Sequence, residues 1–173
     1  MQIKPLLMSV SLSTLLFSGA VFAKEYPVGG PVKKEGMEIA SSYLLGIETN
    51  PMPVSMDMGQ DVIHLETDVH ATADNKWGFP ADAWIPYLTI NYVVQKIGDS
   101  NFLEFGQLIP MSAADGAHYA HSVHMAGAGT YKVTFKYTAP DEMGYERHVD
   151  TATALPQWFK PFNETFTFKY PQS

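Results

Sequence analysis

Strict alternation of apolar and polar side chains is the feature that most limits how this chain folds. In Gly129–Thr138, the side chains of Tyr131, Val133, Phe135 and Tyr137 alternate with those of lysine and threonine. A period of two predicts a strand with one buried face and one polar face. The other segments predicted to be strands are residues 38–48, 61–70, 87–94, 102–109 and 164–170.

Turn-forming residues separate these short strands, and helical periodicity is missing over any long stretch. The chain has 13 glycines and 12 prolines, which punctuate the sequence between the apolar segments. This pattern predicts an all-β fold, an antiparallel immunoglobulin-like β-sandwich. Residues 24–36 are rich in glycine, proline and lysine, and we expect them to form an irregular N-terminal arm.

The first 23 residues resemble a secretory signal peptide. Lys4 precedes a short apolar run, and Val21 and Ala23 supply the small side chains of a signal-peptidase site. We therefore expect residues 1–23 to be removed on export to the periplasm, and residues 24–173 to form a single domain without direct membrane anchoring. The chain has no cysteine, so we expect neither disulfides nor a lipid-modified anchor.

Residues 61–70 carry the most informative polar pattern. Because side chains alternate along a strand, His64, Glu66, Asp68 and His70 share one face, opposite an apolar face suited to the core. Neighbours on that face are about 7 Å apart, since each residue rises about 3.3 Å. We interpret His64 and Glu66 as candidate metal ligands, and we favour a solvated strand face for Asp68 and His70.

A second group of potential ligands lies in residues 110–125, which we expect to form a loop. It contains Met111, His118, His121 and His124, and five of the six histidines fall in this segment or in residues 61–70. Imidazole suits copper, iron and zinc, whereas a thioether selects copper(I). His148 stands apart from both groups and by itself carries little information.

Met52, Met56 and Met58 lie in a proline-rich stretch with two open interpretations. Their spacing is typical of methionine-rich segments that handle copper, but an apolar loop that covers one end of the sandwich explains them equally well.

Other classes of function are poorly supported. The formal charge of −7 disfavours nucleic acid and anionic lipid as partners. The sequence has no glycine-rich phosphate loop and no Gly-x-Ser-x-Gly nucleophile elbow, and without cysteine it lacks the usual ligand of a blue-copper site. We therefore expect a binding protein and not an enzyme.

These residues resemble the periplasmic high-affinity iron transport protein family, which accompanies iron permeases in Gram-negative bacteria. The resemblance covers nearly all of residues 24–173. The motifs that carry it are VIHLETDVH (62–70), WIPYLTI (84–90), PM (110–111), DGAHY (115–119), GTYKV (129–133), RHVD (147–150) and WFKPF (158–162).

The resemblance implies an immunoglobulin-like sandwich, a homodimer, and a metal site near the dimer interface that binds copper, with a neighbouring position for iron. The ligands that it implies for this chain are His64, Glu66, Met111, His118 and His148. The sequence departs from the family pattern after His118, where His121 and His124 add two imidazoles and put the metal selectivity in question.

Three hypotheses follow. In the first, the site binds copper firmly and iron occupies an adjacent carboxylate-lined position, from which it passes to an inner-membrane iron permease. In the second, the protein is a periplasmic copper chaperone or copper-sequestering protein, which the segment from Met52 to Met58 favours. In the third, the sandwich is an adhesin or assembly module that binds no metal.

Overall fold

The computed structural model describes residues 24–51, 59 and 61–172. The predicted signal peptide and the methionines at positions 52, 56 and 58 lie outside the described residues.

The described chain forms eight antiparallel strands and one short 3-10 helix, Pro140–Met143. The strands are β1 (Tyr26–Lys34), β2 (Met37–Leu44), β3 (Val62–Ala71), β4 (Thr89–Lys96), β5 (Asp99–Ala113), β6 (Gly116–His124), β7 (Gly129–Thr138) and β8 (Phe162–Tyr170). This all-β architecture confirms the predicted fold class. No helix in the described part of the chain is long and apolar enough to cross a membrane.

The long strand β5 joins the two layers of the sandwich. The strand order is β1-β2-β3-β6-β5-β4-β7-β8. Residues 109–113 of β5 pair with β6, whereas residues 99–108 pair with β4. One layer therefore contains β1, β2, β3, β6 and the end of β5, and the other contains the start of β5 with β4, β7 and β8. Lys34 of β1 and Glu164 of β8 form an ion pair of 2.6 Å between the two outermost strands.

The hydrophobic core lies between the layers and follows the alternation read from the sequence. Ile63, Leu65 and Val69 of β3 are fully buried, as are Val133 and Phe135 of β7. Burial of these apolar side chains provides the main driving force for folding. The second face of β3 consequently points away from the core.

The prediction of an irregular arm for residues 24–36 was wrong, because Tyr26–Lys34 is strand β1. It pairs with β2, with shifts in register between Pro27 and Gly29 and between Gly29 and Val32. These shifts lie at the prolines and glycines of β1, which disfavour a regular strand. Gly29 packs directly against the ring of Phe166, so the missing side chain allows the two layers to approach.

The prediction of a loop for residues 110–125 was also wrong. Pro110 continues β5, a tight turn follows at residues 114–115, and β6 begins at Gly116. The turn-forming residues that favoured a loop are those of a β-hairpin. Met111 and His118 are therefore held on paired strands, which fix their positions more firmly than a loop does.

Candidate metal centre

His64 and Glu66 enter the site from the face of β3 that points away from the core. Only 6% of each residue is exposed, and both lie at the bottom of a cavity on the outer side of the first layer. Ile63 and Leu65 on the opposite face are anchored in the core. The rigid packing of β3 therefore fixes the positions of both polar side chains.

His118 of β6 completes a group of three buried polar side chains. Its Nε2 lies 3.7 Å from Glu66 Oε2, and His64 Nε2 lies 3.9 Å from the same oxygen. The two imidazole rings meet edge to face, with centroids 5.8 Å apart. One ligand atom from each residue lies within 4.8 Å of the others, so all three can contact a single ion.

The register of the β5–β6 hairpin places Met111 directly opposite His118. Residues directly opposite each other in antiparallel strands project from the same face, with Cβ atoms about 5 Å apart. The half-buried Met111 lines the same cavity as the three polar groups. The hairpin thus adds a thioether beside two imidazoles and a carboxylate.

Strand β2 supports the carboxylate from the other side. Ser42 is paired with Glu66 across the two strands, and its hydroxyl donates a 2.7 Å hydrogen bond to Glu66 Oε1. Oε2 remains directed toward the two histidines. Ser42 could not be singled out in the sequence, because serine is common and only the strand register shows which carboxylate it faces.

Burial shifts the pKa values of His64 and Glu66 in opposite directions. Desolvation lowers the pKa of His64 to about 4, assisted by repulsion from His118, so its imidazole is neutral at pH 7 and available as a ligand. Desolvation raises the pKa of Glu66 to about 7, against the opposing effect of the Ser42 hydrogen bond. Asp68, Glu25 and Asp115 raise the pKa of Glu66 further through their charges.

The cavity above the three residues is large and lined by acidic groups. Its volume is about 1170 Å³, far more than one ion requires. Seven carboxylates contribute to its lining, from Glu25, Glu38, Glu48, Glu66, Asp68, Asp82 and Asp115, and no lysine or arginine does so among the described residues. This lining attracts cations and repels anions.

The donor set fits a transition metal. Ligand atoms held about 2.1 Å from one ion at tetrahedral angles lie roughly 3.4 Å apart, so the separations observed here need only small rotations to close around an ion. Neutral imidazole and thioether groups suit copper, and the carboxylate also suits harder cations such as iron. Met111 distinguishes this set from the purely nitrogen and oxygen ligands typical of hard metal ions.

Asp68 and His70 are not simply part of a solvated strand face. Both are half-buried and line the cavity, and His70 Nδ1 lies 3.3 Å from Asp82 Oδ1. Burial raises the pKa of Asp68, whereas the nearby His118 opposes this shift.

His148 lies apart from the other four predicted ligands. Its side chain is 74% exposed and does not line the cavity. Its Nδ1 lies 2.7 Å from Thr153 Oγ1, within a segment whose hydrogen bonds are local. The structure therefore brings together His64, Glu66, Met111 and His118, but not His148.

The two additional histidines of β6 also differ in position. His121 lies an odd number of residues from His118, so it projects from the opposite face, where its Nδ1 is 3.4 Å from the Tyr92 hydroxyl. His124 is exposed at the end of the strand, six residues or about 20 Å from His118.

Comparison with known proteins identifies relatives along nearly the whole chain. The family described as Fe2+ transport protein matches residues 22–171. A UPF0423 protein of Brucella abortus is 38% identical over 164 residues, which cover 93% of this chain and 89% of the relative. A 34 kDa membrane antigen of Treponema pallidum is 31% identical over 162 residues, covering 89% of this chain and 79% of the antigen.

Solved structures show the same fold with copper bound. A copper-bound variant of FetP from uropathogenic Escherichia coli has a TM-score of 0.80 and 41% identity, covering 86% of this chain and 98% of FetP. Copper-reconstituted P19 from Campylobacter jejuni has a TM-score of 0.80 and 40% identity, covering 86% of this chain and 97% of P19.

Proposed function

This chain belongs to the Fe2+ transport protein family, and we propose that it is a periplasmic protein that binds copper and iron and delivers iron to an inner-membrane permease. The observation that carries the proposal is the buried group of His64, Glu66 and His118, with Met111 beside it. Buried polar groups are costly unless they are paired, so a group of this kind is typical of a ligand site.

Copper binds, in this proposal, to His64, Glu66, Met111 and His118. When bound, copper supplies a one-electron redox couple. The protein holds His64 as a neutral imidazole and holds Glu66 in place through Ser42. Copper-bound FetP and P19 support the choice of metal.

Iron is the cargo, and we place it beside the copper ligands in the acidic part of the cavity. Asp68 and Asp115 line this part, and both are close enough to Glu66 to raise its pKa. Carboxylates are the harder ligands of the site and suit iron better than the thioether does. The family description of Fe2+ transport supports iron as the cargo.

His148 completes the copper site, in this proposal, from the second protomer of a homodimer. Two observations support this arrangement: the imidazole is largely exposed, and it lies outside the cavity of its own protomer. The exposed Val149 and Tyr87 provide apolar surface on or near the same segment, which suits an interface.

We also propose that residues 1–23 are a signal peptide and that residues 24–173 form the single exported domain. A FetP structure was obtained after expression in the periplasm of Escherichia coli, which supports this location. Nothing in the ligand set requires turnover of a substrate, and we propose binding and transfer of metal without enzymatic catalysis.

Calorimetric titration of the metal-free protein with copper tests the site. We expect Met111→Leu to weaken copper(I) binding, and His118→Ala to weaken both copper(I) and copper(II) binding, each by at least tenfold. Met143→Leu and His124→Ala are matched controls at exposed positions and should leave the affinity unchanged. Wild-type affinity in both Met111→Leu and His118→Ala would overturn the assignment.

A periplasmic copper chaperone or copper-sequestering protein is the second candidate. The soft Met111 thioether and the copper-bound relatives favour it. A deletion strain separates the two functions. A growth defect under iron limitation that the wild-type gene rescues supports iron delivery, whereas sensitivity to copper with normal growth at low iron supports the chaperone.

A further inference from the structure

The outer face of the second layer carries an exposed apolar patch on the opposite side of the sandwich from the metal cavity. Phe105 is 70% exposed, Leu103 52% and Val93 38%. Val93 lies directly opposite Phe105 in the β4–β5 ladder, and Leu103 is the next residue on the same face of β5. These three residues form one continuous surface, which we call the Phe105 patch.

The charged side chains at the outward-facing positions near this patch are lysines. The outward-facing residues of β7 and β8 include Lys132, Lys136 and Lys169, and the register places Lys132 and Lys136 on either side of the position opposite Val93. Among the outward-facing residues at positions 89–95, 101–107, 130–136 and 163–169, no aspartate or glutamate is present. This distribution is unusual in a chain with a net charge of −7.

We propose that the Phe105 patch and its flanking lysines bind another protein that presents carboxylates around an apolar centre. An apolar centre surrounded by polar and charged residues is the usual anatomy of a protein interface. The surrounding asparagine, glutamine and threonine side chains of the four strands provide the polar rim.

Charge disfavours two other occupants. A second copy packed face to face would bring lysines against lysines with no carboxylate between them, which is unfavourable. Binding to an anionic bilayer typically uses clusters of four to eight basic residues, and this face has three lysines.

The position of the patch suggests what the interaction achieves. The metal ligands project from the outer face of the first layer and the patch from the outer face of the second, with the core between them. A partner on the patch therefore holds the protein in place and leaves the cavity open to load and release metal.

Site-specific photo-crosslinking in the native host tests this proposal. The photoreactive residue p-benzoylphenylalanine replaces Phe105 in the full chain, and the crosslinked protein is identified by mass spectrometry and purified. Its affinity is then measured for wild-type protein, for the double variant Leu103→Thr/Phe105→Thr and for Lys132→Glu/Lys136→Glu. The matched control is Lys76→Glu/Lys160→Glu, which changes two exposed lysines outside these four strands.

We expect both patch variants to bind the purified partner at least tenfold more weakly, the control to bind normally, and higher salt to weaken binding. Thermal unfolding and copper titration should be unchanged in all variants, which separates this proposal from that of the metal site. The proposal is overturned if no other protein is crosslinked, if the adduct is a second copy of this chain, or if the patch variants bind the partner normally. It is also overturned if the Lys132→Glu/Lys136→Glu variant loses binding to phosphatidylglycerol vesicles but keeps its binding to the purified partner.

Discussion

Glu66 is a buried carboxyl group whose ionisation affects the stability of the metal-free protein. Its pKa is raised to about 7 by burial, so the folded state holds a proton that the unfolded state has already released above pH 4.5. The stability contributed by this group is therefore greatest at low pH and falls as the pH rises from about 4.5 to 7. In the proposed metal-bound state, the ion takes the place of the proton and relieves this cost.

Replacement of Glu66 by glutamine should stabilise the metal-free protein at pH 8. Glutamine keeps the acceptor for Ser42 but cannot ionise, so the buried charge is absent. We expect the melting temperature at pH 8 to rise by a few degrees and the change at pH 5 to be smaller, as measured by thermal unfolding. Glu142→Gln, at an exposed position, is the control. An equal change at both pH values would contradict the role of ionisation.

Copper affinity should depend on pH through the same carboxylate. Between pH 7.5 and 5.5, protons compete for Glu66, whereas His64 stays neutral because its pKa is about 4. We expect copper(II) binding to weaken over this range in the wild-type protein and to change less in Glu66→Gln. Titrations at several pH values measure the slope of copper(II) affinity against pH for both proteins. Parallel slopes would show that protonation elsewhere controls binding.

At the scale of the elements, one face of β3 packs in the core and the other lines the cavity of the proposed metal site. Thr67 projects between the layers, where its hydroxyl accepts a hydrogen bond from Ser41, donates one to the Ala40 carbonyl and lies 3.1 Å from the Tyr137 hydroxyl. Glu66 and Asp68, its neighbours in the chain, line the cavity on the other face.

Thr67→Val should therefore destabilise the fold without affecting the metal site. It leaves the buried Tyr137 hydroxyl without this partner, at a cost of about 1–3 kcal/mol in the free energy of unfolding. The double variant Thr67→Val/Tyr137→Phe should lose less than the sum of the two single changes, because both polar partners are removed. Urea denaturation measures these values. A large loss of copper affinity in Thr67→Val would contradict the separation of the two faces.

The alternation of side chains along the strands explains which parts of the fold and the site could be predicted. Strand β7 was predicted with its observed bounds, and the pairing of His64 with Glu66 on one face of β3 follows from alternation alone. Strand β1 was missed because its prolines and glycines locally disfavour a strand, and its contacts with β2 and β8 in the folded protein stabilise it.

The position of Met111 beside His118 was not predictable from spacing. It depends on the register of a hairpin whose turn-forming residues we interpreted as a loop. Likewise, the cavity lining combines distant residues such as Glu25, Asp82 and Asp115, and only the tertiary fold brings these carboxylates to one place. Local sequence patterns thus predicted the types of ligand and the strand face on which they lie. Long-range strand pairing determined which of these ligands come together in one site.

At the scale of the whole molecule, the charges divide the protein into two sides. Seven carboxylates line the cavity on the first layer, while the outward-facing charged residues at positions 89–95, 101–107, 130–136 and 163–169 of the second layer are three lysines. Hydrated cations are therefore drawn to one side of the sandwich, and the other side is suited to acidic surfaces.

The proposed dimer can be tested with mixed dimers of two differently tagged chains, one carrying His118→Ala and the other His148→Ala. If His148 acts across the interface, the His148→Ala chain retains its own His118 and receives His148 from its partner. One site per mixed dimer is then complete, and we expect one copper per dimer to bind with wild-type affinity. Neither homodimer has a complete site. If His148 acts within its own chain, every site in the mixed dimer lacks one ligand.

A second mixed dimer completes the test, because each of the two arrangements predicts for it the opposite of what it predicts for the first. A wild-type chain is paired with a chain carrying both His118→Ala and His148→Ala. A ligand shared between protomers leaves no complete site in this dimer, since the wild-type chain receives no His148 and the double variant lacks His118. A ligand used within one chain leaves one complete site. Copper titration of the two tandem-purified dimers therefore distinguishes the arrangements, and wild-type affinity only in the second would exclude shared ligation.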